Sequence, residues 1–487
     1  MTTRLIIVSN RLPIAITKNE AGEWQVKPSS GGLITALSPV VRERQGLWVG
    51  WSGSLEETEL YELLAKESEE AGYTLKPVTL TKEEVEQYYV GFSNEILWPL
   101  FHDLQSRCNF DPAYWKVYEV VNRKFAQVVA KSTVSSDYIW VHDYHLMLLA
   151  KELRNIVPDR RIGFFLHTPF PPLDIYLKLP WRIQILRGLL EYDLIGFQTI
   201  RDRNNFLNCV GALIRGLRFD ARRQISRIKM PDRSVRVGVF PIGIDFEEFA
   251  REANDKMVVE RAEQLGKAMR GCQIILGVDR LDYSKGIPQR LKAFRIALEL
   301  FQDMRGKVAL VQLVVPSRED IPEYQALRKD IERAVSDING RFGDPFWTPI
   351  HYIFRSLERK ELIAYYSAAD IALITPLKDG MNLVAKEYCA ANLGENAVLI
   401  LSEFAGATHQ LGTNALVVNP YDVEGVAEAI HRAFLMPTDE RKARMRRLRN
   451  FIRKRDIFWW LNLFLKAAAV EPIVRPIRTT RYTVITR

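Results

Sequence analysis

The chain reads as an α/β protein made of two doubly wound domains that face each other across a cleft. Three observations predict this. Continuous apolar, β-rich runs alternate with helical patterns from one end to the other, as in parallel strands covered on both faces. The helical patterns between them imply right-handed βαβ crossovers. The 487 residues also exceed the roughly 250–300 that a single core sustains.

Strands are expected at 5–9, 138–142, 162–167, 194–198 and 235–241 in the first half. In the second half they are expected at 273–278, 308–315, 351–354, 371–375, 397–401 and 415–418. The boundary falls in the PIGID segment at 241–245, where a strand ends in a Pro/Gly turn before a charged helix. The expected division is therefore 1–243 for the first domain and 244–455 for the second. The helix that follows, 456–470, carries Phe458, Trp459, Trp460 and Phe464. That is too much apolar surface for a free tail, so the segment 456–487 is expected to cross back onto the first domain.

Hydrophobic content of 47% with 26% charged residues suits a soluble globular chain. No apolar run reaches the roughly 20 residues of a membrane helix, so no membrane partner is expected. The N-terminus enters a strand almost at once and has no signal-peptide layout. Cys108, Cys209, Cys272 and Cys389 match no metal or disulfide spacing. A cytoplasmic location fits best. The net charge of +9 traces to 441–455, which holds nine Arg or Lys and no acid. It reads as an amphipathic helix with a wet basic face and Met445, Leu448, Phe451 and Ile452 turned inward. Without a zinc-finger or RNA-binding signature, nucleic acid is not an expected partner.

In doubly wound sheets, ligands lie beyond the C-terminal ends of the strands, so chemistry is sought there. The first strand ends in Ser9-Asn10-Arg11, and an arginine in that place can grip a phosphate with two hydrogen bonds. Gly31 and Gly32 open a helix and let backbone approach a ligand. The aromatic segment 88–98 contains Tyr89 and Trp98, residue types that pack on sugar rings or simply fill a core. Trp140-Val-His-Asp-Tyr-His145 ends a strand; its histidines are too close in sequence to splay onto one metal. Asp143 is read there as a hydroxyl acceptor. His167 ends another strand before a rigid proline loop.

In the second half, Arg280 and Lys285 lie five residues apart on one loop, and Arg318 ends the next strand. Two cations on one loop suit a diphosphate in a water-poor cleft. The segment 375–388, TPLKDGMNLVAKEY, is a strand–loop–helix passage that offers backbone amides, Asp379 and Glu387. Amides for a diphosphate and carboxylates for hydroxyls make a sugar-nucleotide site. The chain contains no G-x-G, no Walker A sequence and no D-x-D, so neither a dinucleotide cofactor nor a diphosphate-bound metal is expected.

Together, Ser9–Arg11, 140–145, 165–171, 277–286 and 375–388 resemble the trehalose-6-phosphate synthases, glycosyltransferase family 20, from the first strand to about residue 421. The resemblance implies a GT-B fold of two facing Rossmann-like domains. It implies a retaining hexosyltransferase that moves glucose from UDP-glucose to glucose 6-phosphate, giving α,α-trehalose 6-phosphate and UDP. It assigns Arg11, Tyr89, Trp98, Asp143 and Arg318 to glucose 6-phosphate. It assigns Gly31, Gly32, His167, Asp379, Gly380, Met381 and Asn382 to the donor glucose, and Arg280 and Lys285 to the diphosphate. Leu383, Val384, Ala385, Lys386 and Glu387 would cover diphosphate and ribose, with Glu387 on the ribose hydroxyls and Leu357 beside the uracil. Arg280, Lys285, His167 and Asp379 are the expected catalytic set, with no metal and no cofactor. A front-face route, in which the leaving diphosphate takes the acceptor proton, replaces a carboxylate nucleophile.

A cytoplasmic homo-oligomer, dimer or tetramer, and a functional link to trehalose-6-phosphate phosphatase are implied by the same resemblance. The nearest alternative is a related retaining enzyme with another acceptor, such as a glucosylglycerol-phosphate synthase, or with another nucleotide-glucose donor. The full acceptor set favours glucose 6-phosphate. A non-catalytic sugar-phosphate sensor would be expected to lack Arg280, Lys285 or Glu387, and all three are present.

Overall fold

The structure is a computed structural model that describes residues 3–18, 24–28, 32–54, 60–220, 225–269, 271–318 and 321–470. The first half contributes β1 (Leu5–Arg11), a hairpin of β2 (Ile14–Lys18) and β3 (Trp24–Pro28), β4 (Leu47–Trp51), β5 (Thr74–Pro77), β6 (Tyr138–His142), β7 (Arg161–Phe165), β8 (Leu194–Phe197), β9 (Arg218–Asp220), β10 (Ile225–Lys229) and β11 (Ser234–Val239). Apart from the hairpin these form one sheet in the order β5-β4-β1-β6-β7-β8-β11-β10-β9. It is parallel from β5 to β11, and β10 and β9 extend it antiparallel. The second half contributes β12 (Gln273–Arg280), β13 (Val308–Val315), β14 (Ile350–Phe354), β15 (Ile371–Ile374), β16 (Val398–Ser402) and β17 (Leu416–Val418). They form a fully parallel sheet in the order β14-β13-β12-β15-β16-β17.

Every strand expected from an apolar run is present. The unexpected ones have physical reasons. β10 alternates buried and exposed residues and β9 is mostly exposed, so neither carries the continuous apolar signal of a two-sided strand. β5 is a four-residue edge with half its positions exposed. β4, by contrast, is a fully buried LWVGW run whose signal was there to be read.

The helix Ile457–Ala467 lies on the first sheet. Phe464 stacks on Trp140 at 4.2 Å between centroids, and Trp460 meets Phe165 edge-on at 5.2 Å. Trp460 Nε1 donates to the Phe240 carbonyl at 2.9 Å. Gly163 and Gly196, on adjacent strands, clear the seat: a Cβ on either would come within 3.0–3.2 Å of Phe464. Gly196→Ala should therefore cost about 1–3 kcal/mol by overpacking, read as a lower urea midpoint.

The basic run forms the helix Thr438–Lys454, with Met445, Leu448 and Ile452 buried. Its arginines have local work. Arg449 Nη1 donates to the carbonyls of Cys389 and Ala390 at the C-terminus of the helix Val384–Ala391, satisfying end carbonyls that a helix leaves open. Arg446 and Arg453 pair with Glu395 and Glu247. Among the described residues, no helix is long and apolar enough to cross a membrane.

Candidate active site

Strand order reverses between β1 and β6 in one sheet and between β12 and β15 in the other. Such switch points open a crevice at the C-terminal strand ends. Arg11 ends β1 and Asp143 follows β6; Arg280 ends β12 and the loop bearing Asp379 follows β15. These four sequence-selected residues thus lie at the crevices that topology creates. Four of the non-glycine residues with positive φ lie here as well: Asp103 (60°), Asp143 (72°), Arg318 (53°) and Asn382 (65°). Strained backbone of this kind gathers where side chains must be aimed.

On the first-domain side, the π-helix Val85–Leu97 delivers Tyr89 and then Trp98 to the cleft. Wide π-turns often mark functional positions. The Arg11 guanidinium lies 3.9 Å from the Trp51 ring centroid and 5.5 Å from Tyr89. Tyr89 stacks on His145. Trp98 Nε1 and both ring nitrogens of His145 are buried without a partner among the described residues, and such polar atoms call for a ligand or solvent. Arg318 reaches across from the second domain, 4.8 Å from the Trp98 ring, with Arg280 at 6.0 Å. Arg318 is held by Tyr324 Oη and by Asp282 at 3.7 Å. Burial alone would raise the Asp282 carboxyl, but Arg318, Lys285 and Arg280 hold it below the usual range.

On the second-domain side, Lys285 Nζ pairs with Asp379 Oδ2 at 2.6 Å. Asp379 Oδ1 accepts from the Met381 and Asn382 amides at 3.1 and 3.2 Å. Burial raises this carboxyl and Lys285 outweighs it, so Asp379 stays ionised below the ordinary carboxylate range. Asn382 Oδ1 caps Ala385 N–H at 3.1 Å, which organises the first turn of Val384–Ala391. Glu387 Oε2 accepts from Tyr366 Oη at 3.0 Å. Burial pushes Glu387 up, opposed by Tyr366 and Arg359. The Leu377 amide donates to Ser284 O at 2.8 Å, tying the loop after β12 to the loop after β15.

The two sides meet. Lys378 Nζ pairs with Asp103 across the cleft at 2.6 Å. A methyl group at Gly380 would overlap the His167 carbonyl. Met381 and Leu383 pack against the first-domain core that includes Trp140 and Trp460. His167 is 4% exposed. Its Nε2 is 3.1 Å from His142 Nδ1 and its Nδ1 is 3.4 Å from Gln198 Nε2. Burial lowers His167 to about 3, so the ring is neutral. Burial pushes the Asp143 carboxyl up to about 6, against the amides of Tyr144, His167 and Thr168.

The structure thus brings Lys285, Asp379 and Asn382 together, groups Arg280 and Arg318 on Trp98, and places Arg11 beside Tyr89. Leu357 packs with the second-domain core that also holds Leu383. Gly32 begins the helix Gly32–Glu43; Gly31 lies outside the described residues. The Lys386 ammonium turns to the Ile242 carbonyl and Gln410. Sequence reasoning missed His102, Asp282, Tyr324, Tyr366 and Trp51. His102 Nδ1 donates to Trp98 O at 2.7 Å and burial lowers the ring to about 4. Asp282 was legible by the strand-end rule; Tyr324 and Tyr366 lie inside helices and carry no local signal. Among the described residues no three His, Cys, Asp or Glu side chains gather as a metal site.

Comparisons with known proteins agree with this geometry. The chain is 43% identical over 467 residues to alpha,alpha-trehalose-phosphate synthase [UDP-forming] A of Dictyostelium discoideum, covering 95% of this chain and 62% of that protein. It is 42% identical over 473 residues to a trehalose-6-phosphate synthase of Mycobacterium leprae, covering 96% and 95%. A crystal structure of a UDP-forming alpha,alpha-trehalose-phosphate synthase from Burkholderia xenovorans, in complex with glucose-6-phosphate, superposes with a TM-score of 0.86 at 36% identity, covering 96% of this chain and all of that one. An E. coli structure bound with UDP-2-fluoro glucose gives 0.85 at 36% identity, over 96% and 99%. The architecture is the GT-B fold. Residues 3–469 match the profile of glycosyltransferase family 20, a span that takes in both sheets, the cleft between them and the returning helix, and the chain belongs to that family.

Proposed function

We propose that the protein transfers glucose from UDP-glucose to glucose 6-phosphate with retention, giving α,α-trehalose 6-phosphate and UDP. The observation that carries this reading is the convergence of Arg318 and Arg280 on the single Trp98 ring, at 4.8 and 6.0 Å. The acceptor-phosphate cation and the donor-diphosphate cation are thereby one ring apart. Phosphates held on both would bring the donor anomeric carbon to the acceptor hydroxyl. The related structures with glucose-6-phosphate and with UDP-2-fluoro glucose support the same pair of substrates.

In this reading Arg11 and Arg318 hold the acceptor phosphate, while Tyr89 and Trp98 pack on the sugar. Asp143 accepts from an acceptor hydroxyl. Arg280, Lys285 and the amides before Val384–Ala391 take the diphosphate, and Glu387 takes the ribose. Asp379, fixed by Lys285 and two amides, anchors donor hydroxyls with His167. The bond from the anomeric carbon to UDP breaks as that to the acceptor oxygen forms, and the acceptor proton passes to the departing phosphate. The chain's own contribution is alignment and stabilisation of charge. Neutralisation by these cations in place of a metal belongs to the proposal, so excess EDTA should leave turnover unchanged. The product is a substrate for trehalose-6-phosphate phosphatase, and the enzyme is a cytoplasmic homo-oligomer, dimer or tetramer, which light scattering would size.

The decisive experiment incubates the protein with glucose 6-phosphate and UDP-, ADP- or GDP-glucose, then measures nucleotide release and the product's anomeric configuration by NMR. Absence of turnover with every donor overturns the reading. A pH profile tests Asp143. As a hydroxyl acceptor it must be ionised, so kcat/KM for glucose 6-phosphate should fall about tenfold per unit below pH about 6. The acceptor phosphate ionises in the same range, so the Asp143 share is the difference between wild type and Asp143→Asn. Superimposable profiles would remove Asp143 from this role.

A further inference from the structure

The chain passes between the two sheets twice, after Phe240 and again at Arg455, and the crossings lie in contact. Ile457 N–H donates to Ile244 O at 3.0 Å, and a Cβ on Gly243 would overlap the Arg455 and Asp456 backbone. Within the first crossing, Ile242 is 1% exposed and is held from both domains. Its N–H donates to Gln198 Oε1 at 2.9 Å, just beyond β8. Its carbonyl accepts from Lys386 Nζ, on the helix Val384–Ala391. The other acceptor of that ammonium is Gln410 Oε1, at 2.5 Å.

Lys386 is 4% exposed and, among the described residues, forms no ion pair with a carboxylate. Burial pushes its pKa down to about 7. An apolar side chain of similar length would fill the place at lower cost, because a buried charge without an opposite charge is destabilising. The position therefore calls for the hydrogen bond itself. Gln198 continues the chain. Ile242 N–H fixes the amide oxygen, so the NH₂ group faces His167 Nδ1. That leaves the His167 proton on Nε2, toward His142 Nδ1 at 3.1 Å. One linker peptide thus joins the helix bearing Glu387 to the strand end bearing His167.

We propose that Lys386 is a positioning residue that clamps the interdomain linker at Ile242 to the donor-side helix, so that one shared peptide sets that helix and, through Gln198, His167. For the reaction it acts on, the inference rests on the functional reading above.

Lys386→Met keeps the length and apolar stem but loses the donor. It should lower kcat about 10- to 100-fold, the effect of a misplacement of order 1 Å, while the calorimetric Kd for UDP stays within about threefold because the ammonium does not face the diphosphate. Gln198→Leu releases the other side of the same peptide and should give the same split. Because both act on one peptide, the double variant should fall no further than about the weaker single variant. A double variant whose loss equals the product of the single losses overturns the clamp, as does a fall in UDP affinity that matches the fall in kcat. Should Lys386→Met fail to fold, Gln410→Leu, which removes the second acceptor, takes its place in the cycle. If the wild type itself shows no turnover, the functional reading has failed and small-angle scattering decides the clamp. Lys386→Met should then enlarge the radius of gyration of the free protein, and an unchanged radius overturns it.

Discussion

Lys285→Ala should lower kcat by about 10²–10³-fold, the loss seen when one preorganised donor is removed from developing charge, with a smaller change in donor KM. The ammonium sits 2.6 Å from Asp379, and both side chains are nearly buried. It is therefore placed before any substrate arrives and needs no reorganisation at the moment of reaction. The same variant strands Asp379 in the cleft. Lys285 is the cation that offsets burial at that carboxyl, so its loss should also destabilise the domain, by about 3–5 kcal/mol for a broken buried pair. Lys285→Ala/Asp379→Asn separates the two effects. The double variant should recover most of the melting temperature and little of kcat. Recovery of kcat with stability would reduce Lys285 to a structural partner, and a loss confined to donor affinity would remove it from the transition state.

Arg290→Met is expected to be among the most destabilising single changes in the second domain, at about 3–5 kcal/mol. Arg290 is 1% exposed on the helix Ile287–Leu300. Nη1 meets Asp279 at 2.5 Å and Gln312 Oε1 at 3.2 Å, and Nε donates to Thr375 Oγ1 at 3.0 Å. These partners lie on β12, on β13 and at the start of the loop that carries Asp379. One guanidinium thus braces three neighbouring strands beneath the loops that carry Lys285 and Asp379, and its removal leaves Asp279 enclosed without its cation, at a carboxyl that burial already pushes above its ordinary range. Asp279→Asn/Arg290→Met should restore the denaturant midpoint in large part, since replacing both members of a buried pair is far milder than removing one. It should leave kcat low, because Thr375 still loses its anchor. A single variant that melts like the wild type would show that the brace contributes little.

Much of this is legible in the amino-acid sequence. The β strands that carry Arg280, the Asp379 loop and His167 announce themselves as unbroken apolar runs, and the strand-end rule then points to the polar residues that follow. The basic run 441–455 was also legible as a wet helical face, because Met445, Leu448 and Ile452 recur at helical spacing. Other features left no mark in the sequence. Tyr324 and Tyr366 are helical positions with ordinary neighbours, and only packing turns them toward Asp282 and Glu387. His102 follows an aromatic helix and looks like core; it becomes a neutral ring against Trp98 only because both are enclosed.

Lys386 divides the two kinds of knowledge most sharply. In sequence it lies one residue before Glu387, in the segment expected to cover the donor. In the fold its ammonium turns from the loop to a linker carbonyl 144 residues away. Local patterning determined this protein's strands, its helices, the strand-end cations and the family to which it belongs, because those depend on side-chain period and short-range spacing. The pairing of Lys285 with Asp379, the meeting of Arg318 and Arg280 over Trp98 and the grip on Ile242 were decided only by the tertiary structure. They arise from two sheets docked face to face, and no separation along the chain encodes the distance between side chains on opposite walls of a cleft.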